Sequence, residues 1–221
     1  MTTAPLRKDA ARNWQRILEV GRCLVDAGLP IQLNEVARAA EVGVATVYRR
    51  FPTPEALLET LAAPGLEAQV RQAELALASD DPWLALRDFL HAGLEVQVTD
   101  AAVATALAAA EPALPSTREL RERLVAVFGQ LLERARAAGA TDPAVTTADL
   151  TPLMCGVAFA ARVHPAADAA ERAATAHRYL DVLLDGVRTR PVSPAATATA
   201  GRAARARAAA PRSGAAATPP R

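Results

Sequence analysis

The sequence predicts an all-α fold, and three observations support this. Alanine dominates the apolar residues, and only eight of the 221 residues are aromatic, a composition that favours helices over sheets. Apolar residues recur with a period of roughly 3.6 along most of the chain, as expected for helices that bury one face. Capping residues, glycines and prolines separate these periodic stretches. A chain of this length can bury one large core or two small ones.

The periodic stretches predict about nine helices, preceded by a short polar arm at residues 1–9. Ser116 and Glu119 have the spacing of a capping box at the start of the seventh helix. Pro64 and Gly65 are expected to kink or break the fourth helix. The expected helices span residues 10–27, 33–40, 44–51, 54–78, 80–98, 100–110, 116–138, 147–163 and 168–187.

Composition and charge divide the chain into three parts. We expect an N-terminal three-helix domain at residues 1–62, a C-terminal helical domain at 63–190 and a tail at 191–221. Residues 1–50 carry a net charge of +3 and residues 51–190 one of −7, and a basic head is typical of proteins that bind a polyanion. The Ala-, Pro- and Arg-rich tail cannot bury enough surface to fold, so we expect it to be disordered. A solvated extension is favoured over a weak DNA tether.

The sequence indicates a reducing environment and no membrane span. Cys23 and Cys155 lie in apolar helical contexts without metal-ligand spacing, where a free cysteine usually acts as a small core residue. A redox pair is the alternative. No apolar run reaches the roughly 18 residues that span a bilayer, and the start of the chain lacks the apolar segment of a signal peptide. We therefore expect a cytoplasmic location.

The stretch from Leu33 to Phe51 has the pattern of a helix-turn-helix. Small alanines on the shared apolar face allow two helices to cross closely at a steep angle. The residues of this face are Leu33, Val36, Ala37, Ala40, Val42, Val47 and Phe51.

The opposite face of the second of these helices suits double-stranded DNA. Val44 and Ala45 are small enough at its start to let the helix enter the major groove. Thr46 can reach a phosphate or a thymine methyl group, and Arg49 can pair with guanine O6 and N7. Tyr48 and Arg50 can hold phosphates and fix the register. An ordinary helical hairpin with a solvated polar face is the alternative.

Residues 10–62 resemble the DNA-binding domain of the TetR family of transcriptional regulators. The matching residues are Val36, Ala37, Ala40, Val42, Gly43, Thr46, Val47, Tyr48, Phe51, Glu55 and Leu57. The resemblance implies that Val44–Arg50 is the recognition helix. It also implies phosphate contacts from Gln32 and Asn34, at the start of the preceding helix, and from Thr46 and Tyr48.

Three positions depart from the pattern of that family. Gln32 stands where Thr or Ser usually caps the helix, which weakens the cap. Glu41 replaces the usual glycine of the turn. Pro54 replaces a lysine that often grips phosphate, which removes one backbone contact and reduces the expected affinity or its salt dependence.

The C-terminal part is similar to the SbtR-like C-terminal domain of TetR regulators, from DDPWLALRDFL at residue 80 to HRYLDVLLDGVR at residue 177. The resemblance implies that the last two helices pair with those of a second copy. Completion of a monomer core is the alternative for their apolar residues. The expected interface residues are Leu153, Val157, Ala160, Leu180, Leu183, Leu184 and Val187.

The family also implies a small-molecule pocket inside the C-terminal helices. Its lining would be mainly apolar, so we expect an apolar or amphipathic effector. Ordinary core packing is the alternative for each lining residue. The candidates are Trp83, Phe89, Leu94, Leu107, Phe128, Met154 and Phe159.

The function predicted from these features is an effector-released repressor that binds palindromic operator DNA as a homodimer. We expect no cofactor, no metal and no catalysis, because His91, His164 and His177 lie far apart in sequence and nucleophile or phosphate-binding motifs are absent. A sensor module of the same fold with degenerate DNA recognition is the alternative, since Glu41 and Pro54 depart from the family.

Overall fold

A computed structural model describes residues 3–166 and 168–188, and all regular structure in these ranges is helical except one isolated bridge. The all-α prediction is confirmed. The helices are α1 Thr3–Asp26, α2 Leu33–Ala39, α3 Val44–Arg50, α4 Pro54–Ala76, α5 Pro82–Thr99, α6 Ala101–Ala108, α7 Pro115–Ala137, α8 Thr147–Val163 and α9 Ala169–Val187. The predicted tail at 191–221 lies outside the described residues.

Five helix starts differ from the expected ones, and at two of them a predicted feature is wrong. The first helix already begins at Thr3, so the polar arm is wrong; Pro5 lies in the first turn, where a missing N–H breaks no helical hydrogen bond. The capping box at Ser116 is also wrong, because α7 begins one residue earlier and its N-cap residue, Leu114, makes no side-chain cap.

Of the predicted kink or break in the fourth helix, the break is wrong, since α4 continues through Pro64; the kink stays a prediction. Proline disturbs the hydrogen bonding of the preceding turn, and Arg22 of α1 supplies a donor there: its Nη2 lies 2.7 Å from the Leu61 carbonyl oxygen. Gly65 follows, and a Cβ atom at that position would lie 2.5 Å from Val103 Cγ2 of α6. The proline turn is thus held by α1 on one side and by α6 on another.

Two clusters of buried apolar residues organise the helices. The N-terminal core combines α1, α2, α3 and the first part of α4, as far as Leu66, with Ala102, Val103 and Ala106 of α6. The C-terminal core combines Ala73 of α4 with α5, α7, α8 and α9. Helix α4 therefore belongs to both cores, and α6 packs against the N-terminal one although it lies within the expected C-terminal domain. The predicted domain limits stay a prediction.

Glu59 joins α4 to the start of α7. Its side chain is almost fully buried, and its carboxylate oxygens accept hydrogen bonds from the Ala113 N–H at 2.6 Å and the Leu114 N–H at 2.8 Å. A carboxylate at a helix N-terminus also interacts favourably with the helix dipole. Glu59, a residue remote in sequence, thus accepts hydrogen bonds at the start of α7, where Ser116 and Glu119 were expected to form the cap.

No helix among the described residues combines the length and the apolar character needed to cross a lipid bilayer.

Candidate DNA-binding surface and ligand cavity

The helix-turn-helix rests on buried positions of α2 and α3. Leu33, Val36 and Val47 are almost inaccessible to solvent and lie in the N-terminal core. The turn between the helices is closed by the Val42 N–H, which donates to the Ala37 carbonyl over 2.9 Å. This packing fixes α3 against the domain and leaves its opposite face outside.

Glu41, in that turn, has a φ of 54°. This is the left-handed region, which costs an ordinary residue because its Cβ approaches the backbone. The family pattern of a turn glycine therefore has a conformational reason, and this chain carries strain at the position.

The predicted DNA-binding residues of α2, its N-cap and α3 are accessible to solvent. Seven of the eight are exposed, and Thr46 is half-buried. Their role in DNA binding stays a prediction. The exposed ones are Gln32, Asn34, Val44, Ala45, Tyr48, Arg49 and Arg50.

The two arginines of α3 are held differently. Arg49 lies along its own helix, with Nε 3.2 Å from the Ala45 carbonyl oxygen and Nη2 3.4 Å from Thr46 Oγ1. Arg50 places its guanidinium carbon 5.5 Å from the centre of the Trp14 ring, within the range of a cation–π interaction. Arg49 needs to give up only weak, exposed hydrogen bonds to reach a base, whereas Arg50 is oriented at the edge of the surface.

Gln32 and Pro54, two positions that depart from the family pattern, lie at the starts of α2 and α4. The side chain of Gln32 makes no cap hydrogen bond to α2. Pro54 begins α4, where Thr53 Oγ1 accepts the Ala56 N–H over 3.2 Å. Pro54 thus serves the helix start but offers no cation at this position.

A cavity of about 110 Å³ lies between α4, α5, α6, α7 and α8. Four of the predicted pocket residues, Phe89, Leu107, Phe128 and Met154, line it. The remaining lining residues are Gln69, Leu90, Gly93, Gln97, Arg121, Leu124, Val125, Thr151 and Cys155.

The other three pocket candidates lie elsewhere. Leu94 is fully buried in the C-terminal core. Trp83 is half-buried, and the guanidinium carbon of Arg188 lies 5.0 Å from its ring centre. Phe159 is 60% exposed on α8, so it faces away from the core that surrounds the cavity.

The polar residues of the cavity do not follow from a search of the sequence for large apolar residues. Gln69 follows Leu66 by three residues and precedes Ala73 by four, so it falls on the buried stripe of α4. Arg121 likewise falls between Thr117 and Leu124 of α7 at helical spacing. A polar side chain at helical spacing with buried apolar residues is the sequence signal that indicates such a cavity residue. Gln69 is only 5% exposed, and its Nε2 atom is buried without a hydrogen-bond partner.

The predicted dimer residues divide between core and surface. Leu180, Leu184 and Val187 are buried in the C-terminal core, so the prediction that they form an interface is wrong: they form one stripe of α9 with Ala176, and this stripe packs against other helices of the same chain. Leu153 of α8 is exposed, and Val157, Ala160 and Leu183 are half-buried. Other exposed apolar residues of these helices are Phe159, Val163 and Val182.

Two of the histidines, remote in sequence, meet between α5 and α9. Nδ1 of His91 lies 2.7 Å from Nδ1 of His177, and Nε2 of His91 lies 3.1 Å from Asp181 Oδ1. Burial lowers the pKa of His91; Asp181 opposes this effect, and His177 and Arg87 add to it. Within the described part of the chain, no group of three or more His, Cys, Asp or Glu side chains is arranged to hold a metal ion.

The cysteines do not share one environment. Cys23 of α1 is exposed, contrary to the expected core position, whereas Cys155 of α8 is half-buried in the cavity wall. Both are free thiols.

Comparison with known proteins identifies both halves of the chain. Residues 81–189 match the family model for the C-terminal domain of SbtR-like transcriptional regulators. No curated protein sequence matches the chain. Among solved structures, a TetR transcription regulatory protein from Mycobacterium vanbaalenii is 31% identical, covering 84% of this chain and 100% of that one, with a TM-score of 0.46.

Two further structures extend the comparison. A TetR transcriptional regulator from Streptomyces coelicolor is 28% identical over 81% of this chain and 99% of that one, with a TM-score of 0.50. The regulator FadR from Bacillus subtilis, solved with stearoyl-CoA, shares the fold at 14% identity, over 79% of this chain and 99% of that one, with a TM-score of 0.56. From the 31% identity to the mycobacterial regulator over 84% of this chain and the match to the SbtR-like domain, the chain belongs to the TetR family of DNA-binding transcriptional regulators.

Proposed function

We propose that this chain acts as a homodimeric repressor. Each subunit places α3 in the major groove of a palindromic operator, and a small effector in the C-terminal cavity releases the dimer from DNA. A dimer that covers a promoter blocks polymerase without any further contact surface. The function is regulatory rather than catalytic, and we assign it to the cytoplasm, where operator DNA is accessible.

The accessible face of α3 on a buried scaffold is the observation that carries the proposal. Arg49 reads guanine through its fork of N–H donors, and Tyr48, Gln32 and Asn34 hold phosphates. The exposure of these side chains supports this assignment. The same arrangement explains why Val47 is apolar, since it anchors α3 rather than contacting DNA.

The exposed apolar surface of α8 and α9 supports a dimer. Phe159 and Val163, one turn apart on α8, are 60% and 63% exposed, and Val182 of α9 is 74% exposed. Apolar side chains exposed together are typical of an interaction surface. A two-fold pairing of α8 and α9 with a second copy buries these side chains. It also presents two recognition helices to half-sites about one helical turn apart.

The cavity supports control by a small molecule. Most of its lining is apolar, as in ligand sites where a few polar groups fix orientation. The fold neighbour FadR was solved in complex with stearoyl-CoA, which is consistent with a small-molecule effector for a protein of this fold. An effector acts only by binding the DNA-free state better, and a coupling of about 1–3 kcal/mol changes operator affinity roughly 5–150-fold.

Selection of random duplex DNA by the purified full-length protein, at fixed salt, tests the DNA-binding step. We expect an enriched palindrome whose binding is lost in Tyr48→Ala and Arg49→Ala. Arg71→Ala is the matched control, because Arg71 is an exposed arginine of α4 remote from the recognition helix in sequence. Folded protein that selects no sequence even at low salt would favour a sensor module with degenerate DNA recognition.

Gel filtration with light scattering tests the dimer. Phe159→Glu places a charge on the α8–α9 surface and is expected to give monomers that bind the operator much more weakly. Leu75→Glu is the control, since Leu75 is 68% exposed on α4 outside that surface. A Phe159→Glu protein that stays dimeric would exclude this face as the interface.

A further inference from the structure

Gln69 is a buried amide that lacks a partner. Gln69 lines the cavity, and its buried Nε2 atom has no hydrogen-bond partner among the described residues. A buried polar group left unpaired costs free energy, so such groups are rare in folded proteins. A ligand that accepts a hydrogen bond in this cavity removes the deficit.

Arg121 also lines the cavity. It is half-buried, and its Nη1 atom donates to the Ala109 carbonyl oxygen over 2.8 Å. A guanidinium has five N–H donors, and Arg121 forms no ion pair with a carboxylate in the described ranges. No acidic residue lines the cavity. Among the described residues that line the cavity, Arg121 is therefore the one that carries a full charge.

The remaining walls limit the size and character of the occupant. Phe89, Phe128 and Met154 provide apolar contacts. The volume of about 110 Å³ is comparable to the roughly 150 Å³ apolar cavity that holds benzene. These walls favour a ligand with an apolar body, and the volume holds about one aromatic ring or a short alkyl chain.

We infer that the effector is a small organic acid, an inference that rests on the proposed function of the cavity as effector site. Its carboxylate binds the guanidinium of Arg121 and accepts a hydrogen bond from Gln69, and its apolar body lies against the phenylalanines. Charge-assisted hydrogen bonds between arginine and carboxylate are among the strongest in proteins. The amide of Gln69 can turn either its oxygen or its nitrogen to a ligand, so it does not select for charge. The cationic Arg121 therefore determines that the ligand is negatively charged.

The same guanidinium anchors the end of α6. Ala109 is the C-cap residue of α6, and a cation near a helix C-terminus stabilises it through the helix dipole. Helix α6 also packs Val103 into the N-terminal core, which carries α3. An acid that competes with the Ala109 carbonyl for Arg121 weakens this anchor. Binding of a negatively charged ligand would thereby loosen α6, a helix that packs against the N-terminal core.

Calorimetry and thermal melting of the full-length protein test the ligand class with defined probes. Benzoate and hexanoate are compared with their neutral analogues, benzamide and hexanamide. We expect the acids to bind and raise the melting temperature, and the amides to bind at least about tenfold more weakly, as loss of a charged hydrogen bond implies.

Three variants identify the groups responsible. Arg121→Met is expected to abolish the preference for acid over amide. Arg123→Met is the matched control, because Arg123 lies on the same helix but is exposed and pairs with Glu74. Gln69→Leu is expected to weaken acid binding severalfold and yet to stabilise the ligand-free protein, because it removes an unpartnered buried donor. A merely structural role for Gln69 would give a less stable variant instead.

The outcomes separate this inference from the function on which it rests. Equal binding of benzoate and benzamide would overturn it, as would acid preference that persists in folded Arg121→Met protein. Operator selection without acid binding at millimolar concentration would overturn the inference alone. Failure to select any operator would overturn the proposed function instead.

Discussion

Arg22 of α1 and Asp100, the N-cap residue of α6, form an ion pair in which Nη1 lies 2.9 Å from Oδ1. The same carboxylate oxygen accepts the N–H groups of Ala102 and Val103 at the start of α6. The other terminal nitrogen of Arg22 donates to the Leu61 carbonyl in the proline turn of α4. One guanidinium therefore connects α1, α4 and α6, three helices that contribute residues to the N-terminal core.

We expect Arg22→Met to lower the free energy of unfolding by about 1–3 kcal/mol, because it breaks partly buried charge-assisted hydrogen bonds. Asp100→Asn should cost less, since asparagine caps a helix as well as aspartate does and only the charge is lost. Urea unfolding followed by circular dichroism measures both. Arg71→Met serves as the control: its exposed pair with Glu67 contributes about 0.5 kcal/mol at most. Equal losses for Arg22→Met and Arg71→Met would contradict the connecting role of Arg22.

Gly65→Ala is expected to destabilise the protein by about 1–3 kcal/mol, the usual cost of overpacking, because the added Cβ would meet Val103 Cγ2 at 2.5 Å. Val103→Ala removes that methyl group, so the double variant should be more stable than the sum of the single changes predicts. Gly129→Ala is the control: its Cβ meets only Thr147 Cγ2, at 4.0 Å, and alanine favours the helix. If the stability losses of Gly65→Ala and Val103→Ala simply added in the double variant, Val103 of α6 would not be in close contact with residue 65.

Glu41→Gly is expected to raise the free energy of unfolding by about 0.5–1 kcal/mol, the relief of left-handed strain less the added freedom of the unfolded chain. The ion pair lost with it, to Arg16 at 3.8 Å, is exposed and contributes little. Melting temperatures at one fixed protein concentration measure the change, about 2–4 °C per kcal/mol for a chain of this size. Glu41→Ala keeps the Cβ and should leave the free energy of unfolding unchanged. An equal increase for alanine and glycine would show that the left-handed backbone at this position is not strained.

The parts of the fold that the sequence predicted are those set by nearby residues. Asp81 and Asp100 accept hydrogen bonds from the first turns of α5 and α6, and such caps are visible as a residue type at a helix start. The recognition helix, Val44–Arg50, has the bounds expected from its resemblance to the family. Local pattern thus determined where most helices lie.

The parts that could not be predicted depend on residues remote in sequence. Glu59 replaces a local cap of α7 by reaching from α4, and no local pattern signals this. Leu180 and Leu184 have the apolar spacing of an interface helix, but the same spacing serves a helix that packs inside its own subunit. Which neighbour covers an apolar stripe is decided by the tertiary arrangement. The same arrangement decides whether a polar residue such as Gln69 faces a cavity.

The histidine pair makes the stability of the C-terminal core depend on pH. One ring donates an N–H to the other across the 2.7 Å between the Nδ1 atoms, so a second proton between the rings has no acceptor. Burial holds the pKa of His91 below its ordinary value; the charge of Asp181 opposes this, and His177 and Arg87 lower the pKa further. Between the lowered pKa and the ordinary one, the unfolded chain binds more protons than the folded protein. Stability is therefore full above the ordinary pKa of His91 and falls as the pH drops below it.

We expect the free energy of unfolding to decrease from about pH 7.5 to about pH 5.5, and His91→Gln to reduce that decrease, because glutamine is neutral throughout this range. Urea unfolding at the two pH values measures the difference. Asp181→Asn should act in the opposite direction: it removes the charge that raises the pKa of His91, so acid should cost the variant more stability than it costs the wild type. An unchanged pH dependence in both variants would mean that the acid sensitivity arises from groups other than His91. Opposite changes in the two variants would assign it to the contact between α5 and α9.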